Sequence, residues 1–146
     1  MLTQYFAYGS NLEVDAMRER CPSARPLERA ILSNWEFRIN ERGFATVVRH
    51  PGKTVYGALW ELDLAAEAAL DAYEAIDEGL YRKEIHSVVV AGQAREVMVY
   101  LATHSRPGRP HPGYLEGILE AARSWSFPPE YLEELRSWLR LGHYGS

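Results

Sequence analysis

Four carboxylates crowd eight residues in the segment Asp71-Ala72-Tyr73-Glu74-Ala75-Ile76-Asp77-Glu78. A carboxyl group at the margin of a core loses solvent. Its pKa then rises, and it can take and return a proton near neutral pH. On a helix, Ala66, Ala69, Leu70, Tyr73 and Ile76 form one apolar stripe. Glu74 falls on the flank of that stripe beside Leu70. Asp77 lies nearer its middle, although close to the helix end, and Asp71 and Glu78 look outward. Periodicity leaves Glu74 and Asp77 both open as proton carriers, with a purely solvated acidic helix face as the plain alternative.

The other chemical feature is Tyr5-Phe6-Ala7-Tyr8-Gly9-Ser10-Asn11-Leu12, an apolar aromatic run broken at Gly9. Ser10 or Asn11 then offers an N-cap for a helix carrying Glu13, Val14, Met17 and Arg18. Glycine admits backbone conformations closed to other residues. The first turn of a helix leaves N–H groups without intrahelical partners. Such a turn can hold an anion, or an oxygen that becomes anionic during a reaction. The same residues also serve as ordinary turn and capping residues.

Other chemistries find no pattern. The histidines His50, His86, His104, His111 and His143 lack metal-ligand spacing, and no His-Glu-x-x-His occurs, so no metal and no cofactor is expected. Ser10 is not in a Gly-x-Ser-x-Gly elbow, and no phosphate-loop or dinucleotide glycine pattern is present. Cys21, the only cysteine, sits near a helix end without a base and reads as packing.

The elements that must position these groups follow in order. The opening helix runs to about Cys21 and stops at Pro22-Ser23. Two strands are expected between Pro26 and Asn40, the second from the alternation of Trp35, Phe37 and Ile39. A short strand at Ala45–Val48 should end in a turn at Pro51-Gly52-Lys53. A buried strand then covers Val55–Leu62, where Gly57 marks a bulge or a close approach by backbone or ligand. Asp63 caps a helix expected over Leu64–Asp77, ended by Glu78-Gly79. Strands at Glu84–Val90 and Arg95–Ala102 are joined by a hairpin connection at Ala91-Gly92-Gln93. A loop over Thr103–Pro112 leads to helices at Tyr114–Trp125 and from Glu130 onward. About six short strands interrupted by one helix, with two helices at the end, argue for an α+β domain whose strands would close well as a small barrel.

A chain of 146 residues, 47% hydrophobic and 25% charged, fits a single globular domain over 1–146. A net charge of -4 disfavours nucleic acid or an anionic membrane as partner. One cysteine excludes an internal disulfide and suits a reducing compartment. No basic segment precedes an apolar run at the N-terminus and no stretch is long enough to span a bilayer, so a soluble, cytoplasmic protein is expected.

The octet Tyr5–Leu12 closely resembles the N-terminal signature of the γ-glutamylcyclotransferase-like (AIG2-like) family. Further resemblances follow in the same order. Phe44-Ala45-Thr46-Val47 with Val55-Tyr56-Gly57-Ala58-Leu59-Trp60 is similar to the family's central strand pair. Leu70-Asp71-Ala72-Tyr73-Glu74, with Tyr81 seven residues on, resembles its acidic segment. Arg95–Leu101 with Tyr100, then Tyr114, then Phe127-Pro128-Pro129-Glu130-Tyr131 resemble its later parts. The resemblance implies a small closed mixed β-barrel with helices packed around it, and Glu74 rather than Asp77 as the acid/base. It also implies a substrate pocket at Tyr8, Gly9, Ser10, Asn11 and Leu12, with Tyr81, Tyr100 and Tyr114 as further pocket groups.

The implied activity is a cyclotransferase of glutathione metabolism. The α-amine of a small γ-glutamyl substrate attacks its own γ-carbonyl and releases 5-oxoproline and an amine or amino acid. The implied partner is that small molecule, with a homodimer possible. A non-catalytic module that holds a small carboxylate or peptide end on the same fold is the alternative. One departure stands out: the family often has Gly after the catalytic Glu, whereas this chain has Ala75, so a Gly-specific backbone conformation is not expected there.

Overall fold

In the computed structural model, residues 2–141 are described. Five strands close a barrel: β1 (Thr3–Ala7), β2 (Arg25–Ile39), β3 (Ala45–Leu62), β4 (Tyr81–Val90) and β5 (Gln93–Ala102). The ring order is β1-β3-β2-β4-β5, and β1 closes it against β5 in parallel, with Tyr5 opposite Met98. Every other pairing is antiparallel, so the barrel is mixed. Four helices surround it: α1 (Val14–Arg20), α2 (Leu64–Tyr73), α3 (Tyr114–Ser124) and α4 (Pro129–Leu141).

The strand count is five, not six, because β2 and β3 are long. Both continue through positions expected to interrupt them. Pro51-Gly52-Lys53 is not a chain reversal. It bulges out of β3 where Asn34 of β2 takes a left-handed φ of 69° and accepts from the Gly52 amide at 3.1 Å. Register resumes on both sides, with Ser33 opposite Thr54 and Trp35 opposite Arg49. A bulge satisfies Pro and Gly as well as a turn does, since both leave the ladder there. At the β4–β5 hairpin, Ala91 and Gly92 have φ of 49° and 81°, the mirror-image turn that suits strand twist.

Strand alternation divides the core in two. Phe6 of β1 and Tyr8 just after it, with Val97, Val99 and Leu101 of β5, join the larger cluster, which α3 and α4 cap with Leu115, Ile118, Tyr131 and Leu135. Tyr5, Ala7, Trp60, Leu62, Met98 and Tyr100 face the other way and are covered by Met17 and Cys21 of the α1 segment and by Ala66 and Leu70 of α2. Gly57 stands where strands cross tightly, since a Cβ there would lie 2.4 Å from the Ala7 carbonyl oxygen and 2.5 Å from the Phe6 ring. The close approach is by backbone and core, not by a ligand. No described helix is long and apolar enough to cross a membrane.

Candidate active site

Glu74 is placed by the way α2 ends. Asp63 caps the start, accepting from the Ala66 amide at 2.8 Å. The helix stops at Tyr73 rather than running to Asp77. Glu74 is its C-cap, and Ala75 takes a left-handed φ of 53°. The Ala75 amide donates to the Ala72 carbonyl at 3.1 Å and the Ile76 amide to the Asp71 carbonyl at 3.1 Å. That is the six-residue helix-ending motif in which glycine usually takes the left-handed position. The expectation that Ala75 forgoes a Gly-like conformation is therefore corrected, because Ala75 adopts it. The strain is about 1 kcal/mol, and the packing of Ile76 back onto the Leu70 cluster helps offset it.

With the helix broken there, Glu74 turns into a cavity of about 250 Å³ lined by Tyr5, Tyr8, Gly9, Ser10, Asn11, Phe44, Ala45, Tyr73, Ala75, Leu80, Tyr81, Tyr100 and Tyr114. Asp77 and Glu78 lie exposed outside it. Asp71 does not simply face solvent, as it accepts from the Tyr100 hydroxyl at 2.7 Å and from Lys83 at 3.0 Å. Burial pushes the Glu74 carboxyl up to about 7, partly countered by the positive charge of Arg20. Among the described residues, Asn11 Nδ2 donates to its Oε1 at 3.5 Å.

The turn opposite is built from β1. Neither Ser10 nor Asn11 caps α1; a single 3-10 turn, Ser10–Leu12, intervenes and Glu13 stands at the α1 N-cap. Gly9 has a φ of -120°, so handedness does not demand glycine here. Space is merely tight: a Cβ would come 3.2 Å from the Ala45 Cβ, which would have to give by a few tenths of an ångström, and 3.7 Å from the Tyr114 hydroxyl. The amides of Gly9, Ser10 and Asn11 have no protein acceptor among the described residues. Leu12 differs. Its amide donates to the Gly9 carbonyl at 2.9 Å, its carbonyl accepts from Trp125 Nε1 at 2.9 Å, and its side chain is buried. It does not line the cavity; it ties the turn to the C-terminal helices.

The tyrosines have distinct proton inventories. Tyr8 donates to the Tyr100 carbonyl at 2.6 Å, Tyr81 to the Ala45 carbonyl at 2.7 Å, and Tyr100 to Asp71. Tyr114 instead accepts, from the Ala45 amide at 3.0 Å, so its hydroxyl proton is left for another partner. Burial raises the pKa of all four, keeping them neutral. Sequence reasoning missed Tyr5, Phe44, Tyr73 and Leu80 as cavity walls. Tyr5 points to the face of β1 opposite Phe6, and Tyr73 sits on what read as the buried stripe of α2, yet is 46% exposed. Among the histidines, His86 pairs with Glu84 at 2.7 Å and His111 stacks on Phe44, while His50 and His104 are exposed. His143 lies outside the described residues.

The AIG2-like family model matches residues 54–135, more than half of the chain, including Glu74, Tyr81, Tyr100 and Tyr114. The chain belongs to the AIG2-like family. This AIG2-like chain is 32% identical over 145 residues to a γ-glutamylcyclotransferase of Mus musculus, covering 91% of this chain and 77% of that one. It is 30% identical to the γ-glutamylcyclotransferase of Homo sapiens with the same coverage. A solved structure of a γ-glutamyl cyclotransferase superposes with a TM-score of 0.86 at 28% identity, over 93% of this chain and 87% of the other. The AIG2-like relationship thus reaches beyond the region matched by the family model.

Proposed function

We propose that the chain is a γ-glutamylcyclotransferase in which Glu74 is the acid/base and the Gly9–Asn11 turn holds the substrate. The observation that carries this reading is one partly desolvated carboxyl facing three unpartnered main-chain amides across a cavity sized for a small ligand. A γ-glutamyl compound brings its own nucleophile, so orientation is the first task of the protein. A curled conformer sets the α-amine beside the γ-carbonyl carbon. Glu74 takes a proton from the α-ammonium, and the freed amine forms the new C–N bond. The γ-carbonyl oxygen becomes anionic, and the Gly9–Asn11 amides and the Tyr114 hydroxyl are the donors at hand for it or for the substrate carboxylate. Glu74 then gives its proton to the leaving nitrogen and the old C–N bond breaks; the attacking nitrogen sheds its second proton to the departing amine or to solvent, and 5-oxoproline and an amine or amino acid depart.

A carboxyl titrating near 7 suits both halves of that cycle, since it is neither a fixed base nor a fixed acid at neutrality. A cytoplasmic setting fits the lone, buried Cys21. The test is release of 5-oxoproline from a panel of γ-glutamyl amino acids, peptides and amines. Turnover is expected for at least one class of leaving group. It should vanish in Glu74→Gln and survive in Asp77→Asn. Ligand-dependent stabilisation without product, across the panel, would make the chain a binding module instead.

A further inference from the structure

Arg20, the last residue of α1, is half-buried and, among the described residues, is the one cation whose charge acts on the Glu74 carboxyl. Its Nη1 donates to Asn11 Oδ1 at 2.5 Å, and its guanidinium lies 3.9 Å above the centre of the Tyr73 ring. The Tyr73 hydroxyl in turn meets Ser10 Oγ at 3.2 Å, so the guanidinium is clamped between the turn and the end of α2. A primary amide has one accepting end and one donating end, whereas a guanidinium only donates. Arg20 therefore claims the oxygen end of Asn11. The Nδ2 end is left to face the Tyr5 hydroxyl at 2.9 Å and Glu74 Oε1 at 3.5 Å. The flipped amide would set N–H against N–H and leave Glu74 without a donor.

We infer that Arg20 is a positioning residue for the reaction: it aims the Asn11 amide nitrogen at Glu74, and its charge favours the carboxylate that must accept the amine's proton. The inference rests on reading Glu74 as the acid/base. Around that carboxyl stand the hydroxyls of Tyr5, Tyr8, Tyr81, Tyr100 and Tyr114, all raised by burial and neutral. Lys83 is occupied by Glu67 and Asp71. Nothing else on those elements duplicates the charge of Arg20. The position was legible only as a residue on a short helix; its partner sits nine residues earlier, in a turn.

The experiment is the pH profile of kcat/KM for 5-oxoproline release in the wild type, Arg20→Met and Arg20→Lys. In Arg20→Met the acid limb is expected to move up by about one pH unit. Activity then falls about tenfold below wild type on the acid side of the limb, and the gap narrows at alkaline pH. Arg20→Lys, which keeps the charge, recovers most of the shift. The same displacement is read without turnover, from the pH at which the difference in thermal stability between each Arg20 variant and its Glu74→Gln double mutant stops growing. An unmoved limb in Arg20→Met, or a shift that lysine does not recover, overturns the inference. Turnover that survives Glu74→Gln overturns the underlying reading instead, and the stability comparison still decides whether Arg20 acts on the carboxyl.

Discussion

Replacing Glu74 by Gln should stabilise the protein at alkaline pH while removing its activity. The folded state raises this carboxyl from 4.5 to about 7, mainly by burial. Between those values the folded chain keeps a proton that the unfolded chain has already released. Stability therefore falls as pH rises through that window, and the full cost is present above about pH 7. The cost amounts to ~3 kcal/mol at most, taking 1.36 kcal/mol for each pH unit between the two values. Gln has the same shape and cannot ionise. Urea unfolding followed by tryptophan fluorescence, at about pH 4.5, 6 and 8, measures the difference between the two proteins. It should be near zero at the acid end and grow to ~3 kcal/mol in favour of Gln, or about 9 °C in melting temperature for a chain of this size. Paired carboxylates such as Asp63 and Glu84, which are lowered by their hydrogen bonds, contribute with the opposite sign at lower pH. They are common to both proteins and cancel. A stability difference that does not change with pH would refute the claim that Glu74 is desolvated, and with it the basis for its proton chemistry.

Other outcomes follow from single contacts. Tyr114→Phe removes a pocket hydroxyl whose proton is uncommitted, and kcat/KM should fall roughly tenfold or more, while the Ala45 amide left without its acceptor costs about 1–3 kcal/mol of stability. Ala75→Gly relieves the left-handed strain and should raise stability by about 0.5–1 kcal/mol in thermal unfolding, with 5-oxoproline release unchanged. Gly57→Ala drives a methyl into the Ala7 carbonyl and the Phe6 ring, and should cost at least about 3 kcal/mol by denaturant titration.

The parts of this fold that were legible are those set by local rules. The capped start at Asp63, the mirror-image turn at Ala91-Gly92, the amphipathic helices after Tyr114 and Pro129, and the strand of Tyr5–Ala7 all follow from side-chain chemistry within a few residues. The end of α2 did not, because an alanine took the position that glycine normally announces, held there by the packing of Ile76. Asp77 looked central to the apolar stripe only if the helix continued through it, and ending the stripe at Tyr73 moved it into solvent. The bulge at Pro51–Lys53 was invisible as such because its cause, Asn34, lies on the facing strand. Glu74 and the Gly9–Asn11 turn carried no sign of their shared cavity beyond the family resemblance. Their meeting depends on barrel closure, which is a property of the whole ring.

That closure also sets when activity can arise. Thr3 finds its partner in Leu62, and Tyr5 must then wait for Met98. The pairing of β1 with β5 spans more of the chain than any other in the ring, and such long-range pairing slows the seating of β1. Glu74 and the turn have no common cavity until it is seated. After dilution from denaturant, the onset of product release would serve as a clock for the seating of the first strand, lagging behind any signal from the β4–β5 hairpin.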